Sequence, residues 1–336
     1  MLAIQEKQTQ VLPDPILQVA SGFMAAKHLF VASEIGLFEK LHDGPATVEE
    51  LAKRTDTNPR TLRILADAMV SLGFLDKRNG RYANGPAADV YLSGKASLDF
   101  RPFLRFWNYL SYPKWAKLED AIRTGEAQIT ASENEEQQQI FLEGVEAVTS
   151  ATAQALARLY DFSNHQRILS LFGGSGSFLI SILSRYSHLT ATLLEARSVL
   201  PIAERRLKAG CVAERVALVE GDLFRSPIPG GTDAVILANV IHGLSPGRNM
   251  KLLQRLRGAL TEGTRLLLVD FWTDPTHTQP PFAALLAGEF LINTGEGEAY
   301  SVEDAHAWLT VTSWRLLEHK PLTELTSVIV AEAARY

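Results

Sequence analysis

The chain has 336 residues, in which 33 Lys and Arg stand against 38 Asp and Glu for a formal charge of −5. That length holds two domains or one large one, and 46% hydrophobic residues are enough for a packed core. The single cysteine, Cys211, excludes an internal disulfide and a multi-cysteine zinc site, no metal centre is expected, and the mild acidity exerts no general pull on nucleic acid.

No unbroken run of about 18 apolar residues appears, which argues against a membrane span. The start, MLAIQEKQTQVLPDP, lacks the apolar core of a signal peptide, so a soluble cytoplasmic protein is expected.

Residues 15–41 place Ile16, Val19, Ala20, Phe23 and Met24 at helical spacing. Thr47 followed by Glu50 is a capping box that opens the short helix ATVEELAKRT, and Asn58-Pro59 opens a second, RTLRILADAMVSLGFL. Asn79-Gly80 then joins two short strands as a hairpin. Helix, helix and hairpin make a winged helix-turn-helix over roughly residues 46–92. Two readings stand: Arg60, Arg63, Lys77, Arg78 and Arg81 contact DNA, or the module packs against a partner chain.

Residues 98–118 concentrate aromatics, among them Phe103, Trp107 and Trp115; such a stripe is more often core, yet its density also suits the walls of a pocket for a planar organic molecule. A polar connection, TGEAQITASENEEQQQ, leads to a helix around Phe141–Leu159. From about residue 164 strands and helices alternate. HQRILSLF, TATLLE, VALVEGD, TDAVILANV and TRLLLVDF read as buried strands, and the end of the chain reads as two antiparallel edge strands meeting near Pro321. This is a doubly wound α/β sheet. The expected division is 1–97, 98–160 and 161–336.

Ligands of such sheets sit at the carboxyl ends of the strands. Three landmarks fall there: the turn Gly173-Gly174-Ser175-Gly176, then Glu195, then Gly221-Asp222. A glycine turn admits a ligand to the backbone, and an acid ending the second strand accepts hydrogen bonds from ribose hydroxyls. A Gly-x-Gly-x-x-Gly and a Walker lysine are both missing, so a nucleoside without phosphates fits better than a dinucleotide.

From about residue 14 onward the chain resembles the small-molecule O-methyltransferases that use S-adenosylmethionine, of the plant-caffeate and bacterial natural-product type. The resemblance rests on the order of the modules, GGSG, Glu195, GDLF, LANVIHGLSPGRNMKLLQRLRGAL, LLLVD and NTGEGEAYSVEDAHAWL. It implies a class I methyltransferase fold, Rossmann-like, with an antiparallel edge, behind a mainly helical winged-helix domain that forms a homodimer rather than reading DNA. It also implies that Gly173, Gly174, Gly176, Glu195, Asp222 and Leu223 bind the cofactor. His242 takes the place of the general base, with Asp270 and Glu298 as acids near it. Phe103, Trp107, Trp115, Phe141, Phe290 and Asn293 become candidates for the acceptor pocket. The acceptor is then a hydroxyl on an aromatic or polyketide-like molecule. The remaining histidines share no motif and read as structural or exposed.

Two positions depart from the family pattern. Ser170 replaces the acid that opens the first motif, and Phe172 replaces its first glycine, where a ring is expected to crowd the ligand. The family's frequent His-Asp-Trp reads His242-Gly243-Leu244. An alternative therefore stands beside methyl transfer: a repurposed fold that performs rearrangement, cyclisation or pericyclic chemistry, with the cofactor structural or lost. A DNA-binding regulator is a third reading.

Overall fold

The computed structural model describes residues 13–95, 99–128 and 134–335. Residues 1–12, whose polarity argues against a signal peptide, lie outside the described residues, as do 96–98 and positions 129–133 of the polar connection. Two compact units divide after Asn108.

In the first unit the sequence signals act as local chemistry requires. The Thr47 hydroxyl accepts the Glu50 amide at 3.3 Å while the Glu50 carboxylate accepts the Thr47 amide at 2.8 Å, capping helix Val48–Thr55. Asn58 caps Pro59–Ser71 through the Arg60 amide at 2.9 Å. Strands Leu75–Arg78 and Arg81–Asn84 pair antiparallel across Asn79 (φ 49°) and Gly80 (φ 75°), the two left-handed residues a tight hairpin needs. The hairpin's charges are largely used within the unit. Lys77 and Arg63 both bind Asp67, at 2.7 and 3.1 Å, and Arg81 binds Glu50 at 3.0 Å.

Residues 14–34, helices Asp14–Ala20 and Gly22–Glu34, are the one described stretch long and apolar enough by composition to cross a membrane, although Gln18, Lys27 and His28 interrupt it. Ile16, Leu17, Val19, Phe23 and Met24 stand exposed along it.

The second unit is built on a seven-stranded sheet. Its strands are β1 (Arg167–Leu171), β2 (Thr190–Glu195), β3 (Val216–Glu220), β4 (Ala234–Ala238), β5 (Arg265–Asp270), β6 (Trp314–Pro321) and β7 (Ser327–Ala333). They lie in the order β3-β2-β1-β4-β5-β7-β6. The first five are parallel, and β7 runs antiparallel between β5 and β6.

Alternation along the strands feeds two cores. Ile168, Leu193, Ile236 and Leu267 face one layer with Leu156, Leu179 and Leu207, while Leu169, Leu194, Leu237 and Leu268 face the other with Leu252, Leu256 and Leu309. The covering helices are α1 (Glu135–Leu159), α2 (Ser177–Arg185), α3 (Leu200–Ala209), α4 (Pro246–Ala259), α5 (Pro281–Thr294) and α6 (Val302–Val311). The order reverses between β1 and β4. Their carboxyl ends therefore open the crevice where this architecture binds ligands.

Candidate active site at the sheet switch point

The glycine turn leaves β1 in a left-handed conformation, with φ 51° at Phe172, 58° at Gly174 and 87° at Gly176, which caps α2. The Phe172 side chain, partly buried, packs against the core cluster that contains Leu171, Val240 and Ile241. The Ser170 side chain is buried beneath Gly173, where any Cβ would overlap the serine hydroxyl. A Cβ at Gly174, in contrast, would stand in open space, so that stretch of backbone is clear for a ligand.

Glu195 ends β2 beside this clear face. Its two oxygens accept the Gly174 amide at 2.9 Å and the Ala196 amide at 2.8 Å. Burial pushes its carboxyl above the ordinary range, and the two amides act against that shift. Each oxygen retains a lone pair for a ribose hydroxyl. Asp222 accepts the Phe224 and Arg225 amides, both at 2.9 Å, which hold its carboxyl below the usual range, and Leu223 beside it is buried. These residues fit the nucleoside half of S-adenosylmethionine. At the methionine end the site offers the Ser170 hydroxyl and no acid at that position.

The structure also shows a support that sequence reading missed. Glu146 of α1 accepts hydrogen bonds from Ser175 (2.9 Å) and Ser177 and pairs with Arg206 at 2.5 Å, tying the turn to two helices from behind.

His242 lies on a short 3-10 turn, Ile241–Gly243, just beyond β4. Its Nδ1 is 2.6 Å from the Asp270 carboxylate at the end of β5. The aspartate side chain is only 2% exposed and also accepts the Phe271 amide at 2.8 Å. The imidazole stacks on Phe290 of α5, centroids 3.8 Å apart and planes 6° from parallel. The turn is pinned from two sides. Buried Asn249 donates to the carbonyls of Ile241 (3.0 Å) and Leu244 (3.2 Å), and the Tyr300 hydroxyl donates to Leu244 at 2.5 Å. Neither residue carries a motif that sequence reading alone would single out.

Glu298 is placed differently from its expected role. Its loop does reach the histidine, because a Cβ on Gly297 would overlap the His242 carbonyl. Its half-exposed carboxylate, however, faces His277 at 3.8 Å, and His277 also meets Asp304 at 3.3 Å. The structure thus joins His242 to Asp270 and not to Glu298.

Of the expected acceptor residues, Trp115, Phe141, Phe290 and Asn293 belong to the second unit. Trp115 packs on Gly288 of α5, Asn293 hydrogen-bonds to Glu289, and Phe141 stands partly exposed on α1. Phe103 and Trp107 belong to the first unit, with rings 4.5 Å apart. Among the described residues no group of His, Cys, Asp and Glu is arranged to hold a metal.

Residues 115–312 match the model of the O-methyltransferase domain, and residues 17–94 match the O-methyltransferase dimerisation domain. A 3-hydroxy-5-methyl-1-naphthoate 3-O-methyltransferase of Streptomyces sahachiroi is 30% identical over 304 residues, covering 88% of each chain. The tetracenomycin polyketide synthesis 8-O-methyl transferase of Streptomyces glaucescens is 28% identical, covering 89% of this chain and 90% of that one. Among solved structures, human N-acetylserotonin methyltransferase in complex with S-adenosylmethionine superposes with a TM-score of 0.87 at 25% identity, covering 99% of this chain and all of that one. None of these relatives favours the non-methylating alternative. The chain belongs to the O-methyltransferase family, enzymes that take their methyl group from S-adenosylmethionine.

Proposed function

We propose that this enzyme methylates a hydroxyl of an aromatic, polyketide-like small molecule, with His242 as general base. The observation that carries the proposal is the 2.6 Å bond from His242 Nδ1 to a buried carboxylate, beneath a stacked aromatic ring. Asp270 accepts the Nδ1 proton, which leaves the Nε2 lone pair to take the hydroxyl proton as the acceptor oxygen becomes nucleophilic. Phe290 holds the imidazole plane, and Asn249 and Tyr300 hold the turn beneath it.

Bound S-adenosylmethionine supplies an electrophilic methyl group on its sulfonium. Gly174, with Gly173 and Gly176 shaping its turn, Glu195, Asp222 and Leu223 orient the nucleoside. Most of the remaining acceleration comes from holding the two reactants in line. Trp115, Phe290 and Asn293 line the acceptor side within the second unit.

The first unit serves as the homodimer surface. It carries the dimerisation domain, its exposed apolar residues Ile16 to Met24 suit a second copy, and its basic residues are largely paired internally. No nucleic-acid or membrane partner belongs to this reading, which places the enzyme in the cytoplasm.

Incubation with methyl-labelled cofactor and a panel of phenols tests the assignment. Label is expected in an aryl methyl ether, and its transfer should depend on His242. A protein that binds the cofactor yet labels no hydroxyl acceptor would restore the non-methylating alternative.

A further inference from the structure

Glu289 lies on α5 immediately before Phe290, the ring stacked on His242. It is 9% exposed, yet no Lys, Arg or His lies within ion-pair distance of it among the described residues. Its partners are neutral. The Ser111 hydroxyl donates to one oxygen at 2.7 Å and the Asn293 amide to the other at 3.1 Å. The Trp115 indole donates in turn to Ser111 at 3.2 Å, and Lys114 reaches Asn293 at 3.0 Å, one residue removed from the carboxylate.

Burying a carboxylate without a cation is expensive, and packing alone gives no reason to keep one here. A carboxylate has about four acceptor sites, and two are filled. The same side chains, Trp115 and Asn293, are those assigned to the acceptor pocket. α5 packs on the His242 turn as well, so one helix carries both the ring that orients the base and the unpaired charge.

We infer that Glu289 is a specificity-determining residue that selects acceptors bearing a second proton-donating group, a hydroxyl or an amine, remote from the oxygen that is methylated. This rests on the hydroxyl-methylating reading above. Ser111 and Asn293 fix the carboxylate rotamer, and the acceptor's second donor fills an open lone pair that water would otherwise occupy. Such a site rejects the analogue without the donor, because the buried acceptor is then left unmatched.

The experiment compares 2,7-dihydroxynaphthalene with 2-naphthol as probes, on the wild-type protein, Glu289→Gln and Glu289→Leu, all loaded with S-adenosylhomocysteine. Glutamine keeps the shape and one acceptor oxygen, so it guards against loss of folding. Calorimetric affinities are measured first, then kcat and KM with S-adenosylmethionine. The wild type is expected to favour the diol by about 10- to 100-fold in affinity. That preference should shrink in the glutamine variant and approach unity in the leucine variant, with the change read as a rise in KM for the diol. A preference that survives Glu289→Leu, or a wild type that binds both probes equally or binds neither, overturns the inference. The expected binding preference without methyl transfer to either probe would uphold it and refute the hydroxyl-methylating reading instead.

Discussion

Removing the His242 imidazole, as in His242→Ala, should lower kcat by about 10²- to 10⁴-fold, the usual contribution of a positioned general base. Substitutions at Asp270 divide that figure into its parts. In Asp270→Asn an amide oxygen can occupy the place of Oδ1, so the His242 Nδ1 proton and the Phe271 amide, now at 2.6 and 2.8 Å from it, both stay paired. The charge is lost, and with it the longer contact, 3.4 Å, from the His242 backbone amide to Oδ2. Exchanging a charged acceptor for a neutral one costs about 1–2 kcal/mol, or roughly 5- to 30-fold in kcat. Asp270→Leu goes further, because it strands three N–H groups, the His242 ring and backbone amide and the Phe271 amide, at about 1–3 kcal/mol for each that is buried. Its kcat should fall toward that of His242→Ala, and its melting temperature should fall as well. The assay is S-adenosylhomocysteine release at saturating cofactor and acceptor, with cofactor affinity measured separately by calorimetry. A His242→Ala enzyme that keeps kcat within about threefold, with its cofactor affinity intact, would refute the base assignment.

Further predictions concern the elements around that dyad. Glu195→Ala should weaken cofactor binding by about 10- to 100-fold, because the ribose loses a charged acceptor and two amides lose theirs; unchanged calorimetric affinity would contradict this. Gly173→Ala should destabilise the protein by about 1–3 kcal/mol through collision with the Ser170 hydroxyl, and adding Ser170→Ala should recover part of the loss; strictly additive denaturation midpoints would show that the two do not touch. Glu298→Gln should lower kcat less than Asp270→Asn, since its carboxylate faces His277, and the reverse order would return it to the base. Asp67→Asn should cost about 1 kcal/mol at neutral pH, a small value for a partly exposed site. The hydrogen bond from Lys77, with that from the Tyr82 hydroxyl, holds the Asp67 carboxyl below its ordinary value. The stability this residue lends is therefore complete above the unfolded carboxyl range and is lost as pH falls through the depressed folded value. Urea midpoints for variant and wild type should converge in acid, and a constant gap would refute the linkage.

What the sequence made legible was whatever local chemistry dictates. The Thr47–Glu50 box, the Asn58 cap and the Asn79-Gly80 turn act within a few residues, and all three form as read. The five parallel strands were legible because strands covered on both faces become near-continuous apolar runs. Helix α5 was not. PFAALLAGEFLINT is apolar on every side, so no stripe marks it as helical, and the role of Glu289 within it depends on Ser111, far away in the chain.

Phe172 shows the same limit at a single residue. Its ring packs, partly buried, on the core cluster around Leu171 and Ile241, a neighbourhood that its place in the motif does not reveal. The His242–Asp270 pair was expected from the family resemblance, and the sheet makes neighbours of the two strands that carry it. Its supports, Asn249 and Tyr300, act through backbone carbonyls and leave no motif.

The central claim is that the glycine turn, with Ser170 in place of the acid and Phe172 in place of the first glycine, still holds S-adenosylmethionine beside His242. Calorimetric titration of the purified protein with S-adenosylmethionine, and with S-adenosylhomocysteine in parallel, tests it most directly. Saturable micromolar binding of both, one molecule per chain, is the expected result. No heat and no thermal stabilisation at millimolar ligand would contradict the account.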